Sequence, residues 1–257
     1  MLVFGVIRAP SDSVNQGPNP CRASKYSPHK IKADRQCVVR PMDVGGHHPY
    51  IPVGMEIMAT QSGRGRPREF DPEEALAAAL QVFWRRGYEG ASLAELTEAM
   101  GITKPSLYAC FGNKEALFRK ALDLYERDKL CYVKSSLEAP TAKAVAERML
   151  RGSLAIQTGN KDPQGCMGVI SSVGGTAHSE CIRDEVLARR ASSDRALLDR
   201  FERAQAEGDL PAGVEPQALA CYLSTVIQGM AVQAGAGVPR DRLEQLIDTT
   251  LTMWPSK

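Results

Sequence analysis

From Asp71 onward, apolar residues recur at spacings of three and four, the period of an amphipathic helix. No segment keeps the strict alternation of a half-buried strand. Asp71-Pro72 offers an N-cap with proline in the first turn, Leu76, Leu80 and Phe83 follow on one stripe, and Gly87 closes the helix. Ser92-Leu93-Ala94-Glu95 has the form of a capping box and opens a short helix ending at Met100-Gly101. Thr103 caps a third helix, with Pro105 in its first turn, that runs to Phe111 and stops at Gly112. Asn113 caps a fourth, longer helix through Leu117, Ala121 and Leu124. After Ala139-Pro140, helices are predicted over roughly 141–158, 166–175, 179–207, 215–235 and 239–253, several of them separated by glycine-rich turns.

The fold class is therefore all-α. Three short capped helices, the last followed by a glycine turn and a long connecting helix, follow the grammar of a helix-turn-helix. Composition divides the chain further. Residues 1–57 hold seven of the sixteen prolines, keep no helical period and carry a net charge of +3. Such a segment buries too little apolar surface to offset its chain entropy, so 1–60 is expected to be a disordered tail. Met58-Ala59-Thr60 reads like a natural start, which would place the tail upstream of the true one. The expected organisation is then a DNA-binding domain with a basic arm over 61–114 and a helical domain over 115–257.

The segment Gly63–Asp128 carries a more specific signal. The run Thr103-Lys104-Pro105-Ser106-Leu107-Tyr108-Ala109-Cys110-Phe111-Gly112-Asn113-Lys114-Glu115-Ala116-Leu117-Phe118 resembles the recognition helix, and the start of the next helix, of the TetR family of bacterial repressors. Phe83, Gly87, Tyr88 and the helix from Ser92 to Met100 fit that family's first two helices. The resemblance implies a helix-turn-helix regulator whose C-terminal helices dimerise and bind a small-molecule effector.

The net charge of +2 is too small to announce a nucleic-acid partner, and residues 61–130 carry eleven basic and eleven acidic groups. DNA contact must come from local placement. Thr103, Lys104 and Ser106 stand at the leading edge of a helix short enough to enter a major groove, and Tyr108 offers a hydroxyl to a phosphate. Lys114 is a cation at a helix N-terminus, a poor match to the dipole unless an anion lies close. Taken alone, both lysines also read as solvated surface groups, and Thr103 as a cap only. Arg64 and Arg66 lie on an extended Gly-Arg-Gly-Arg-Pro-Arg arm of the kind that suits a narrow minor groove.

In the C-terminal half, the resemblance implies a homodimer through helices 215–235 and 239–253. The apolar residues Met149, Leu154, Met167, Ile170, Val173 and Tyr222 would line an effector cavity, or else form solid core. Cys166, at a small-residue helix start, is either a redox-sensing thiol or an inert packed one. Cys166, His178 and Cys181 lack a fourth ligand at a recognisable spacing, so no metal is expected.

No GxGxxG, P-loop, GxSxG or HExxH pattern occurs, and no enzyme activity or cofactor is expected. Odd, unclustered cysteines and the lack of any run of 18 apolar residues lead to the expectation of a cytoplasmic chain without a membrane partner. The function expected is a ligand-released repressor bound as a dimer to a palindromic double-stranded operator. The alternatives are an activator or thiol-based redox sensor on the same fold, or a small all-α enzyme.

Overall fold

A computed structural model describes residues 70–173 and 179–256 of the chain. The elements among them are α1 (Pro72–Gly90), α2 (Leu93–Ala99), α3 (Lys104–Phe111), α4 (Lys114–Lys129), α5 (Cys131–Leu137), α6 (Ala142–Gln157), α7 (Met167–Val173), α8 (Glu180–Ala206), α9 (Pro216–Gly235) and α10 (Arg240–Thr252). No strand occurs among the described residues.

Side-chain caps set the starts of the first four helices. Asp71 accepts from the Glu73 amide at 2.8 Å, and Ser92 and Glu95 close a reciprocal capping box. Thr103 accepts from the Ser106 amide at 3.3 Å, and Asn113 from that of Ala116 at 2.8 Å. Each satisfies an amide that the helix itself leaves free. Gly87 does not end α1 but breaks it: at φ 69° and ψ 179° it interrupts the helical run, and the chain regains helix as far as Gly90.

Two cores hold the described residues together. The first joins α1 to α4: Phe83, Trp84, Leu96, Leu107, Phe111, Leu117 and Phe118 are all buried in it. Phe83 and Phe118 meet edge-to-face at 5.1 Å, as do Trp84 and Tyr125 at 4.8 Å, an arrangement aromatic quadrupoles favour. The second core is built from α6, α8, α9 and α10, with Leu150, Leu154, Phe201, Leu223 and Ile247 among its buried members. Helix α4 thus belongs by packing to the helix-turn-helix, and α7 links the two cores because Met167 is buried in the first while Gly168 and Val169 face the C-terminal helices.

The long helix predicted from Asn113 is interrupted where the sequence gives no sign. Leu130 leaves helical geometry at φ −100° and ψ 9°, and α5 starts there without a side-chain cap.

Candidate DNA interface and effector cavity

Helix α3 owes its exposure to the pattern of its own residues. Leu107 and Phe111, four apart, are fully or nearly fully buried against α1, α2 and α4. That anchoring turns Thr103, Lys104 and Tyr108 outward; all three are exposed, Tyr108 by 50%. Ser106 is half-buried, and its hydroxyl lies 2.9 Å from that of Thr103, so the two polar groups at the helix start hold each other in place. The first helical residues therefore present a lysine, two hydroxyls and a phenol on one edge, with no acidic group in the first turn.

Lys114 is the first residue of α4 and is half-buried, its ammonium 4.5 Å from the centroid of the Tyr88 ring. Burial lowers its pKa from the ordinary lysine value, with Glu89 acting in the opposite direction. The cation is thus partly engaged by an aromatic face within the fold. Arg64 and Arg66 lie outside the described residues, as does His178.

A second feature lies among α4, α5, α6, α7, α8 and α9. It is a cavity of about 170 Å³, walled by apolar groups from Leu122, Val133, Met149, Ile156, Val169 and Ile227. Polar groups reach it at defined points. Gln157, the last residue of α6, donates from Nε2 to Ser153 Oγ at 2.6 Å and to the Ile227 carbonyl at 3.2 Å. Arg190 donates to the Gly168 carbonyl, Ser172 Oγ and Gln228 Oε1 at 3.1–3.2 Å. Arg189 bridges Asp123, Glu126 and Glu185, tying α8 to α4 at the cavity edge.

Two tyrosines and a cysteine complete the wall. The Tyr125 hydroxyl donates to Cys166 Sγ at 3.4 Å. Burial pushes the Tyr125 hydroxyl well above the usual tyrosine pKa, and burial raises that of Tyr132 to about 12 against a lowering hydrogen bond from Ser153. Tyr132 can lie flat on α6 only because residue 152 is glycine: a Cβ there would stand 2.3 Å from the ring.

Of the residues expected at an effector site, Met149 lines this cavity; Cys166, expected only as a sensing or an inert thiol, lines it too. Leu154 is buried in the C-terminal core, Met167 in the helix-turn-helix core, and Ile170 packs against Gly87. Tyr222 is 42% exposed on α9, and the side chain of Val173 lies outside the described residues. Tyr125, Tyr132, Gln157, Arg190 and Gln228 were not expected here. Each reads in the sequence as an ordinary polar or aromatic helix position, and only the fold brings them together.

Comparison with known proteins decides the family. Residues 75–121 match the profile described as bacterial regulatory proteins, tetR family. The chain is similar, at 37% identity over 214 residues, to the HTH-type transcriptional repressor ComR of Escherichia coli, covering 77% of this chain and 98% of that protein. The chain belongs to the TetR family. As a TetR-family member it is a DNA-binding transcriptional regulator. It is also similar, at 28% identity, to the HTH-type transcriptional repressor BdcR of Escherichia coli, over 72% of this chain and 88% of the other. Among solved structures it resembles a cysteine-substituted form of the TetR family transcriptional regulator CifR in complex with 26-bp double-strand operator DNA. The identity is 46% and the TM-score 0.70, with 74% of this chain and all of that one covered. TetR-family regulators are not an enzyme family. No described helix is long and apolar enough to cross a membrane.

Proposed function

We propose that this regulator is a repressor that docks two copies of α3 in successive major grooves of a two-fold operator and is released by a small molecule in the cavity. The observation that carries the reading is the outward edge of α3, where Thr103, Lys104 and Tyr108 stand free of the core that Leu107 and Phe111 enter. Such an edge fits base and phosphate contacts from Thr103, Lys104, Ser106 and Tyr108, with Lys114, and the arm bearing Arg64 and Arg66, adding phosphate attraction.

A two-fold operator needs two copies, and α9 with α10 offers the surface for pairing. Tyr222 and Val232 on α9, and Met253 just past α10, are among the few large apolar side chains left exposed. Gly229 stands between the first two with open space where a Cβ would project, which suits close approach of a second helix. Footprinting of the DNA flanking the gene tests the proposal. A symmetric protected site overlapping a promoter supports repression; protection only upstream of the promoter favours activation, and no protected site sinks the reading.

A thiol-based response is the second reading. It is favoured by the position of Cys166 in the cavity wall, beside Tyr125 and immediately before α7. Operator release by hydrogen peroxide from the native chain, but not from Cys166→Ser, would select it.

A further inference from the structure

We infer that the cavity takes a small, uncharged, mainly apolar molecule with one hydroxyl donor, a phenol or a compact alcohol, whose O–H is accepted by Gln157 Oε1. The inference rests on the effector reading above and narrows it to a chemical class.

Gln157 is the deciding residue. It is only 3% exposed, and its Oε1 has no hydrogen-bond partner among the described residues. The orientation of the amide is not free. The Ile227 carbonyl is an acceptor only, so the nitrogen must face it, and that leaves the oxygen as the unused end. A buried acceptor without a donor is costly, and here it belongs to a side chain that lines a cavity. A ligand O–H supplies what the protein withholds.

The rest of the wall sets size and charge. About 170 Å³ is close to the cavity size that accepts a benzene ring in an engineered protein core, so one ring or its aliphatic equivalent fits. The wall's charged groups are already engaged within the protein: Glu126 with Arg189 at 2.9 Å, Asp194 with the Ser224 hydroxyl at 2.7 Å, and Arg190 with three neutral acceptors. A carboxylate ligand would have to draw Arg190 away from Gly168, Ser172 and Gln228, whereas a neutral ligand disturbs none of these bonds. Met149, Ile156 and Ile227 then contact the ring.

Isothermal titration calorimetry on the full chain tests this with phenol, fluorobenzene and benzoate. Phenol and fluorobenzene are alike in size and differ in the donor. The native chain is expected to bind phenol more tightly than either of the others. In Gln157→Met, which keeps the bulk and removes the acceptor, the phenol-to-fluorobenzene affinity ratio is expected to fall about ten-fold. An unchanged ratio, benzoate binding more tightly than phenol, or no phenol binding overturns the inference. If circular dichroism shows that Gln157→Met does not fold, the native chain decides alone: phenol binding no better than fluorobenzene overturns it. A gel shift with the operator separates the two claims. Phenol that binds without releasing DNA defeats the effector reading and leaves the ligand class standing; DNA binding without any phenol binding does the reverse.

Discussion

The indole N–H of Trp84 donates to the carbonyl oxygen of Gly165 at 3.3 Å, joining a buried residue of α1 to the loop that leads into α7. The next residue, Cys166, lines the cavity, while Met167 returns to the helix-turn-helix core. Nearby, Asp162 accepts from Gln81 of α1 at 2.9 Å and pairs with Lys129 at the end of α4. The segment from Asp162 to Ile170 thus touches the DNA-reading domain on one side and the cavity on the other. Occupancy of the cavity that shifts this segment would move α1 and, through the shared core, α3.

Trp84→Phe keeps most of the aromatic packing and removes this hydrogen bond. The Gly165 carbonyl loses a buried donor, and stability is expected to fall by about 1–3 kcal/mol in urea unfolding. An unchanged midpoint would show that water replaces the indole there.

Gly87 reports on the contact between α1 and α7. Its φ of 69° is one that an L side chain adopts only with strain, and a Cβ would lie 3.3 Å from Cγ2 of Ile170. Gly101, at φ 64°, has open space around the same position. Gly87→Ala is expected to cost more than Gly101→Ala, because a ψ of 179° at that φ is open essentially to glycine alone and because the added Cβ would press on Ile170. Equal losses would mean that neither the backbone at Gly87 nor its contact with Ile170 resists a side chain.

Acid should loosen the same junction. Burial raises the Asp162 pKa, but hydrogen bonds from Lys129 and Gln81, with the lysine charge, hold its carboxyl below the ordinary value. A carboxylate depressed in the folded state adds stability that is fully present above its unfolded pKa of about 3.9 and is lost as pH falls through the lower folded value. The loss of stability between pH 6 and pH 3 is therefore expected to be smaller in Asp162→Asn than in the native chain. Parallel acid limbs in urea titrations would remove this role.

Val232 tests the pairing surface. It is 57% exposed on α9, and Val232→Glu would place a carboxylate on the surface proposed for pairing. Sedimentation is expected to show a dimer for the native chain and a shift to monomer, by ten-fold or more in dissociation constant, for the variant. An unaffected dimer would place the interface elsewhere.

The helix-turn-helix was legible in the sequence because its boundaries are written in side chains: Asp71, Ser92, Thr103 and Asn113 each cap the helix that follows. The break at Leu130 was not, since no cap or glycine marks it. The cavity was legible only in part. Met149, Leu154 and Met167 share an apolar character, yet one lines the cavity and two fill solid core, because periodicity gives the buried face of a helix and not what it faces. Gln157 gained its role from a carbonyl seventy residues away in the chain, a pairing that no local pattern records.

If the outward edge of α3 reads DNA, removing its exposed side chains must weaken operator binding. Fluorescence anisotropy with the footprinted operator, comparing the native chain with the double variant Lys104→Ala, Tyr108→Ala, measures this. The variant's operator affinity is expected to be at least about ten-fold weaker at moderate salt, with the circular dichroism spectrum unchanged. Operator affinity equal to that of the native chain would show that this edge of α3 does not read the operator.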